Sequence, residues 1–174
     1  MKGRLKMTVR EAILKRRSIR RYKENEIIPD EHIKEILTSA MHAPSACNTR
    51  PWEFIVLKSK EAREKAAEIH PYAHFVRYGS LGIIVSADET CQEGIAKGYF
   101  PQDSGAAIQN MLLCALELGY GSCWCGLYPQ EDRVSDFKKV FDIKGTPVAL
   151  VVIGVSDQEP EARGFYDESK VTVI

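Results

Sequence analysis

Residues 15–22, KRRSIRRY, place five Lys or Arg side chains and one serine in eight consecutive positions. Arginine presents a planar fork of N–H donors that matches a phosphate group, and the serine hydroxyl adds a neutral donor. If a helix continued through this stretch, Arg16 and Arg20 would share one of its faces, with Ser18 near its end. The stretch therefore predicts a pocket for one phosphate group. Alternatively, its cations form a basic last helical turn that complements the helix dipole.

A second stretch, HAPSACNTRPWEF at residues 42–54, gathers polar side chains between two prolines. Pro44 and Pro51 stiffen the backbone, and Ser45 and Asn48 offer side-chain hydrogen bonds. An amide both donates and accepts, which suits a heterocycle that has both kinds of group. A rigid, polar loop between buried elements is typical of a binding site. The alternative is a helix stop followed by an Asx-type turn into a strand.

The cysteines indicate neither a disulfide framework nor a zinc site. Cys123 and Cys125 form C-x-C, and no second close pair exists to complete a metal site. An odd number of cysteines without framework spacing is typical of a reducing compartment. The chain has five cysteines: Cys47, Cys91, Cys114, Cys123 and Cys125.

Other residues that attract attention have simpler interpretations. His70 and His74 are four residues apart, but Pro71 breaks any helix that would align them, so we interpret them as part of a loop without a metal. Asp103 precedes a long apolar stretch and fits an N-cap or first-turn charge. The sequence contains neither a Walker motif nor the glycine-rich motif of a Rossmann nucleotide site.

Composition restricts the class of protein. The 174 residues suit one domain, which we assign to residues 1–174. Lys plus Arg equal Asp plus Glu at 24 each, which argues against a nucleic-acid binder. The chain has no apolar run of about 18 residues, so we expect no membrane span. The N-terminus is basic without an apolar segment or a cleavage site, and we expect a cytoplasmic protein.

Helices and strands alternate between and around these motifs. Thr8 and Glu11 fit a capping box at the start of the first helix. Residues 147–155, PVALVVIGV, are apolar enough for the centre of a sheet. The mixture predicts an α+β fold with a small central sheet flanked by helices. Periodicity predicts the remaining elements: a helix between Pro29 and Pro44, strands over 52–57 and 81–86, helices over 59–69, 103–118 and around 134–141, and an ambiguous segment over 122–127.

The C-terminal tail from Asp157 is polar until it closes with VTVI. An apolar end after a polar stretch favours docking as an edge strand, and a second subunit would supply the sheet.

Together these stretches resemble the nitroreductase family of flavoproteins. R-R-S-x-R at 16–20, followed by A-P-S-x-x-N-x-x-P-W at 43–52, is similar to the family's two N-terminal FMN elements. Residues 103–129 resemble its long core helix, glycine turn and strand, and residues 144–155 resemble its central strand. The resemblance covers nearly the whole chain, and the order and spacing of the motifs are more specific than any one of them.

The resemblance implies a mainly antiparallel sheet and a homodimer with FMN at the interface, over which the tail extends onto the partner. It assigns Arg16 and Arg163 to the FMN phosphate, with Ser18 assisting and Arg17 acting mainly through its backbone. Arg20 would lie near the pyrimidine edge of the flavin, where a cation favours the reduced form.

The same resemblance assigns two further groups of residues to the flavin. The loop of the other subunit would contact it through Pro44, Ser45, Ala46 and Asn48. The strand after the long helix would lie along the ring through Cys125, Gly126 and Leu127. Cys125 is either a reactive thiol beside the ring or, as we favour, an ordinary buried cysteine.

The implied activity is reduction of a small acceptor, such as a nitroaromatic or a quinone, by NADH or NADPH through flavin N5. Because the flavin does this chemistry, we name no catalytic side chain. Alternatives are another flavin reaction on the same scaffold (dehalogenation, flavin destruction or heterocycle oxidation), a non-enzymatic FMN-binding or storage protein, and a structural dimer whose basic stretch is a helix end. Segment 66–80 is compact compared with the same segment of longer family members. The resemblance therefore does not assign the residues on the substrate side of the flavin.

Overall fold

A computed structural model describes residues 7–174 of the chain. The first helix, α1, spans Val9–Lys15 and begins with the predicted capping box. The Glu11 amide donates to Thr8 Oγ1 at 3.2 Å, and the Thr8 amide donates to Glu11 Oε2 at 2.8 Å. The bond from the Thr8 amide also lowers the pKa of the Glu11 carboxyl.

Five helices and four strands make up the fold of residues 7–174, apart from short 3-10 turns. The other helices are α2 (Asp30–Met41), α3 (Lys60–Ile69), α4 (Phe100–Glu117) and α5 (Glu131–Phe141). The strands are β1 (Trp52–Leu57), β2 (Leu81–Ala87), β3 (Gly121–Gly126) and β4 (Thr146–Gly154). The sheet is antiparallel throughout, with the strand order β1-β2-β4-β3. This order confirms the predicted α+β class and places the most apolar strand, β4, inside the sheet.

Helices cover both faces of the sheet, because successive strand residues point to opposite faces. One face packs against α2 and α4, and the other against α3 and α5. The buried strand residues of the first face include Ile83, Val85, Val151 and Ile153. Those of the second face include Ile84, Leu150, Val152 and Cys123.

Helix α4 begins at Phe100, three residues before the predicted start at Asp103. Pro101 falls in its first turn, where a missing N–H costs nothing and the fixed φ suits a helix. Pro101 is therefore part of the first turn of α4. The ambiguous segment after α4 is strand β3, which buries Cys123 and Cys125 while Trp124 stays 40% exposed.

The turn before β4 requires glycine at position 145. A Cβ on Gly145 would lie 2.4 Å from the Ala87 carbonyl oxygen, so backbone would have to move. We expect Gly145→Ala to lower the free energy of unfolding by about 2–3 kcal/mol, measured by urea denaturation. Gly126→Ala is the matched control, since a Cβ there meets no atom within 4 Å. Equal stability of the two variants would contradict the packing at Gly145.

The chain beyond β4 first pairs with the N-terminal segment and then lies open to solvent. Tyr22 and Ser156 form an antiparallel bridge. Farther along, Phe165, Tyr166 and Val173 are 87%, 76% and 92% exposed. Docking of this tail on a second subunit therefore stays a prediction. None of the helices in residues 7–174 is both long and apolar enough to cross a membrane.

Candidate functional site

The basic stretch is extended rather than helical. Helix α1 ends at Lys15, and Arg16 is its C-cap, with ψ at 128°. The conditional placement of Arg16 and Arg20 on one helical face is therefore wrong. Of these cations, only Lys15 lies in the last turn of α1 and fits the helix-dipole interpretation. The arginines lie beyond that turn.

Two parts of the sheet hold the extended stretch in place. The Ile19 amide donates to the Ser122 carbonyl of β3 at 2.9 Å, and the Lys23 amide donates to the Val155 carbonyl at 2.9 Å. Between them the buried Tyr22 hydroxyl donates to the Ile19 carbonyl at 2.7 Å. These bonds replace the helical bonds that the segment lacks. They fix its backbone across the sheet where β3 begins and β4 ends.

Gln158, at the start of the tail, accepts two consecutive backbone bonds from the basic stretch. Its Oε1 lies 3.1 Å from the Arg20 amide and 2.8 Å from the Arg21 amide. The tail is thereby joined to the stretch, and Arg163 follows five residues later, exposed to solvent. No local pattern points to Gln158, because its partners are more than 130 residues away.

The arginines of the stretch carry uncompensated charge. Across residues 7–174, every ion pair uses a lysine, and none involves Arg16, Arg17 or Arg20. The Nε of Arg17 is buried without a hydrogen-bond partner, which is costly for a cationic donor. Arg16 and Arg17 also line a cavity of about 420 Å³. An anionic group with several acceptor oxygens fits this set of donors.

Two thiols of β3 lie beside the same stretch. Cys123 and Cys125 are two residues apart, so their side chains share one face of the strand. A hydrogen bond from the Cys125 thiol lowers the pKa of Cys123 to about 7, and Arg20, Ser18 and Arg16 act in the same direction. That bond and burial raise the pKa of Cys125. Cys125 is thus buried, as the favoured interpretation expects.

The outer edge of β3 presents backbone donors away from the sheet. The Leu127 amide donates inward to the Val148 carbonyl of the neighbouring segment at 3.0 Å. The Ser122 carbonyl accepts from Ile19 on the opposite side. Because the bonding direction alternates along an antiparallel strand, the Gly126 N–H points outward. This outward N–H can donate to the rim of a planar heterocycle, and on the face of the strand a Cβ at this glycine would meet no atom within 4 Å.

His70 lies buried behind this edge and is 2% exposed. Across residues 7–174, no three His, Cys, Asp or Glu side chains converge on a common point. Burial lowers the pKa of the imidazole, and the positive charge of Arg133 adds to the effect, whereas the bond to the Gly126 carbonyl opposes it.

This shift predicts a pH dependence of stability. Above the ordinary histidine pKa of about 6.5, His70 is neutral in both the folded and the unfolded chain. Below it, the unfolded chain binds a proton that the folded chain resists, so the free energy of unfolding decreases as the pH falls. Urea denaturation between pH 8 and pH 5 should show this decrease, and His70→Gln should reduce it. An unchanged pH profile in the variant would contradict the burial of a neutral His70.

The loop after α2 is anchored to the first turn of α4. Asp103 Oδ1 accepts from the Ala46 amide at 3.0 Å, and its Oδ2 accepts from Gln92 Nε2 at 2.7 Å. Gln92 Nε2 also lies 3.2 Å from Thr49 Oγ1. Asp103 is not the N-cap of α4, but it is the predicted first-turn charge. It also anchors the loop, a role that sequence reasoning missed. A carboxylate in the first turn of an apolar helix was the available signal.

The same loop holds three non-glycine residues with positive φ. Cys47, Asn48 and Arg50 have φ of 50°, 56° and 50°. Two bonds fix this shape: Ser45 Oγ accepts from the Arg50 amide at 3.0 Å, and Asn48 Oδ1 accepts from Arg50 Nε at 3.1 Å. Such backbone persists where the surroundings over-determine it, and it is common at binding sites.

The loop and the basic stretch do not meet within one subunit. Asp103, which holds the loop, and Leu116, which lines the cavity with Arg16 and Arg17, are 13 residues apart in α4. At the helical rise this separation is about 20 Å. The loop and the basic stretch therefore lie toward opposite ends of α4 within one subunit.

Comparisons with known proteins agree with the sequence motifs. The model of the "Nitroreductase family" matches residues 13–74 and 71–155. A protein of Methanothermobacter thermautotrophicus, provisionally named NADH dehydrogenase/NAD(P)H nitroreductase, is 40% identical over 168 residues, which cover 95% of this chain and 86% of that protein.

Solved structures are similar over nearly the whole chain. An FMN-dependent nitroreductase from Clostridium difficile R20291 is 28% identical and covers 93% of this chain and 96% of its own, with a TM-score of 0.84. A provisionally named nitroreductase from Desulfovibrio desulfuricans, solved in complex with FMN, is 27% identical and covers 97% of both chains, with a TM-score of 0.81.

Proposed function

The chain belongs to the nitroreductase family, and we propose that it is an NAD(P)H-dependent oxidoreductase that holds FMN at the interface of a homodimer. One observation carries the assignment beyond the family: the arginines beside β3 are free of ion pairs within residues 7–174, and Arg17 Nε is a buried donor without a partner. These residues fit the phosphate of a mononucleotide.

The basic stretch would hold the phosphate end. Arg16 and Arg163 would bind the phosphate oxygens, and Ser18 would add a hydroxyl donor. The orphaned Nε of Arg17 supports a contact from its side chain in addition to its backbone. Arg20 would place its charge near the pyrimidine edge, where positive charge favours the reduced flavin.

The ring would lie against β3 and the loop of the other subunit. Cys125, Gly126 and Leu127 would follow the ring with their backbone, and the outward Gly126 N–H supports this role. The partner's loop would close the site through Pro44, Ser45, Ala46 and Asn48, which is consistent with the distance between loop and basic stretch within one subunit. The exposed aromatic residues of the tail would then be covered by the partner.

FMN, when bound, supplies the redox chemistry, taking hydride from NADH or NADPH and passing it to a small acceptor such as a nitroaromatic or a quinone. The residues of the chain bind and orient it, and no side chain acts as a general acid or base. His70 does not qualify, because its two ring nitrogens are occupied by the Gly126 carbonyl and the Tyr72 amide.

Steady-state oxidation of NADH and NADPH distinguishes this function from FMN storage. We expect consumption of the nucleotide that depends on an added nitroaromatic or quinone and that scales with bound FMN. A protein that binds FMN but oxidises neither nucleotide with any acceptor would be a storage protein.

Asn48 tests the two-subunit site. We expect Asn48→Gly to remain dimeric but to bind FMN about tenfold more weakly, because one or two hydrogen bonds to the ring are lost. Glycine is preferable to alanine here, since φ is 56° and an alanine would add strain. FMN affinity is measured by flavin fluorescence, and oligomeric state by sedimentation. Unchanged affinity would remove Asn48 from the site.

A further inference from the structure

We propose that His70 and Arg133 are positioning residues that clamp the Gly126 carbonyl and thereby aim the Gly126 N–H at the flavin. The proposal rests on the proposed function for the identity of the ligand. The clamp itself is a contact between two helices and the edge of β3.

Both side chains donate to one carbonyl oxygen. His70 Nε2 and Arg133 Nη1 each lie 3.3 Å from the Gly126 oxygen. The direction of the His70 bond follows from its other nitrogen, because Nδ1 lies 3.2 Å from the Tyr72 amide and must accept from it. The neutral ring with its proton on Nε2 is therefore the tautomer that satisfies both contacts.

The two donors are themselves held rigidly. His70 is the C-cap of α3, and its ring meets the buried Phe137 edge to face, with centroids 6.2 Å apart and an interplanar angle of 87°. Arg133 projects from α5, and its guanidinium lies 5.3 Å from the centre of the Tyr72 ring. The clamp thus ties α3 and α5 to one peptide of β3.

Gly126 needs such support because of where it lies. Glycine is conformationally permissive, and at the end of an edge strand only one side of its backbone is fixed by the sheet. The Gly126 carbonyl belongs to the peptide that joins Gly126 to Leu127, so the clamp fixes the plane of that peptide. In the extended conformation of an antiparallel strand the N–H and the carbonyl of one residue point to the same edge, so a fixed plane keeps the Gly126 N–H directed to that edge. Binding groups that are loose by about 1 Å lose much of their effect.

The test compares His70→Leu with His70→Gln, whose amide nitrogen can still donate to Gly126. In the FMN-free protein we expect His70→Leu to raise the hydrogen exchange rate of the Leu127 amide about tenfold or more, because this amide shares its peptide with the Gly126 carbonyl and is bonded to the Val148 carbonyl. We expect the same variant to bind FMN about tenfold more weakly. His70→Gln should stay within about threefold of the wild type in both measurements. His74→Leu is the matched control, since His74 is exposed and its ring packs on Phe75.

Unchanged Leu127 exchange and FMN affinity in a folded His70→Leu protein would overturn the clamp. If that variant does not fold, Arg133→Met removes the second donor from a less buried position, and the same two measurements decide. A wild-type protein that takes up no FMN would defeat the proposed function, whereas Leu127 exchange in the FMN-free protein would still decide the clamp.

Discussion

Replacing Arg16 with alanine should weaken FMN binding by about 10- to 100-fold, because one charge-assisted contact to a phosphate contributes about 1.5–3 kcal/mol. Arg16 is free of ion pairs with other described residues, so the variant breaks no salt bridge. Fluorescence titration of the FMN-free protein gives the dissociation constant. The affinity of the wild type should also fall with added salt, since the contact is ionic.

Arg10→Ala is the matched control for this prediction. Arg10 lies exposed on α1, one and a half turns before Arg16. Its loss should change FMN affinity by less than about twofold, as expected for a screened surface charge. Equal effects of the two substitutions would indicate a diffuse electrostatic attraction rather than a phosphate site at Arg16.

Replacing Asp103 with alanine should both destabilise the protein and loosen the loop that carries Ser45 and Asn48. The substitution leaves the Ala46 amide and the Gln92 side-chain amide without their acceptors, and each buried unsatisfied donor costs about 1–3 kcal/mol. We therefore expect the free energy of unfolding to fall by about 2–4 kcal/mol. FMN affinity should fall about tenfold or more, since the loop loses its fixed shape.

Two further variants isolate the cause. Asp103→Asn keeps an acceptor for the Ala46 amide and should retain most of the FMN affinity, because Gln92 Oε1, buried without a partner, can accept from the new amide group. Asp136→Ala removes an exposed carboxylate from α5 and should leave both quantities unchanged within about 0.5 kcal/mol. Full stability and full FMN affinity in Asp103→Ala would contradict the anchor.

Local patterns predicted those parts of the fold that local interactions decide. The capping box of Thr8 and Glu11 involves residues three apart, and it is present. The apolar run of β4 must be buried on both faces, and it lies inside the sheet. The end of α1 at Lys15 was not predictable, because the bonds that pull the following residues out of the helix come from β3 and from the tail.

The candidate site shows the same difference between features set by local patterns and features set by long-range contacts. The types and order of the arginines, Ser18 and the loop residues propose them for the site, and these assignments stay predictions. Asp103 and His70 were assigned simpler roles, because their partners Ala46 and Gly126 are 57 and 56 residues distant in sequence. A side chain that holds a backbone group so far away leaves no periodic pattern in the sequence.

The visible absorption spectrum of the purified protein, recorded anaerobically before and after addition of NADH and then NADPH, decides whether this chain is an FMN-dependent oxidoreductase. We expect flavin bands corresponding to about one FMN per subunit, as a site shared by two chains of a homodimer requires, and we expect these bands to be lost on reduction by at least one nucleotide. A colourless protein that also fails to take up added FMN would contradict this function, and the basic stretch would then have no phosphate to bind.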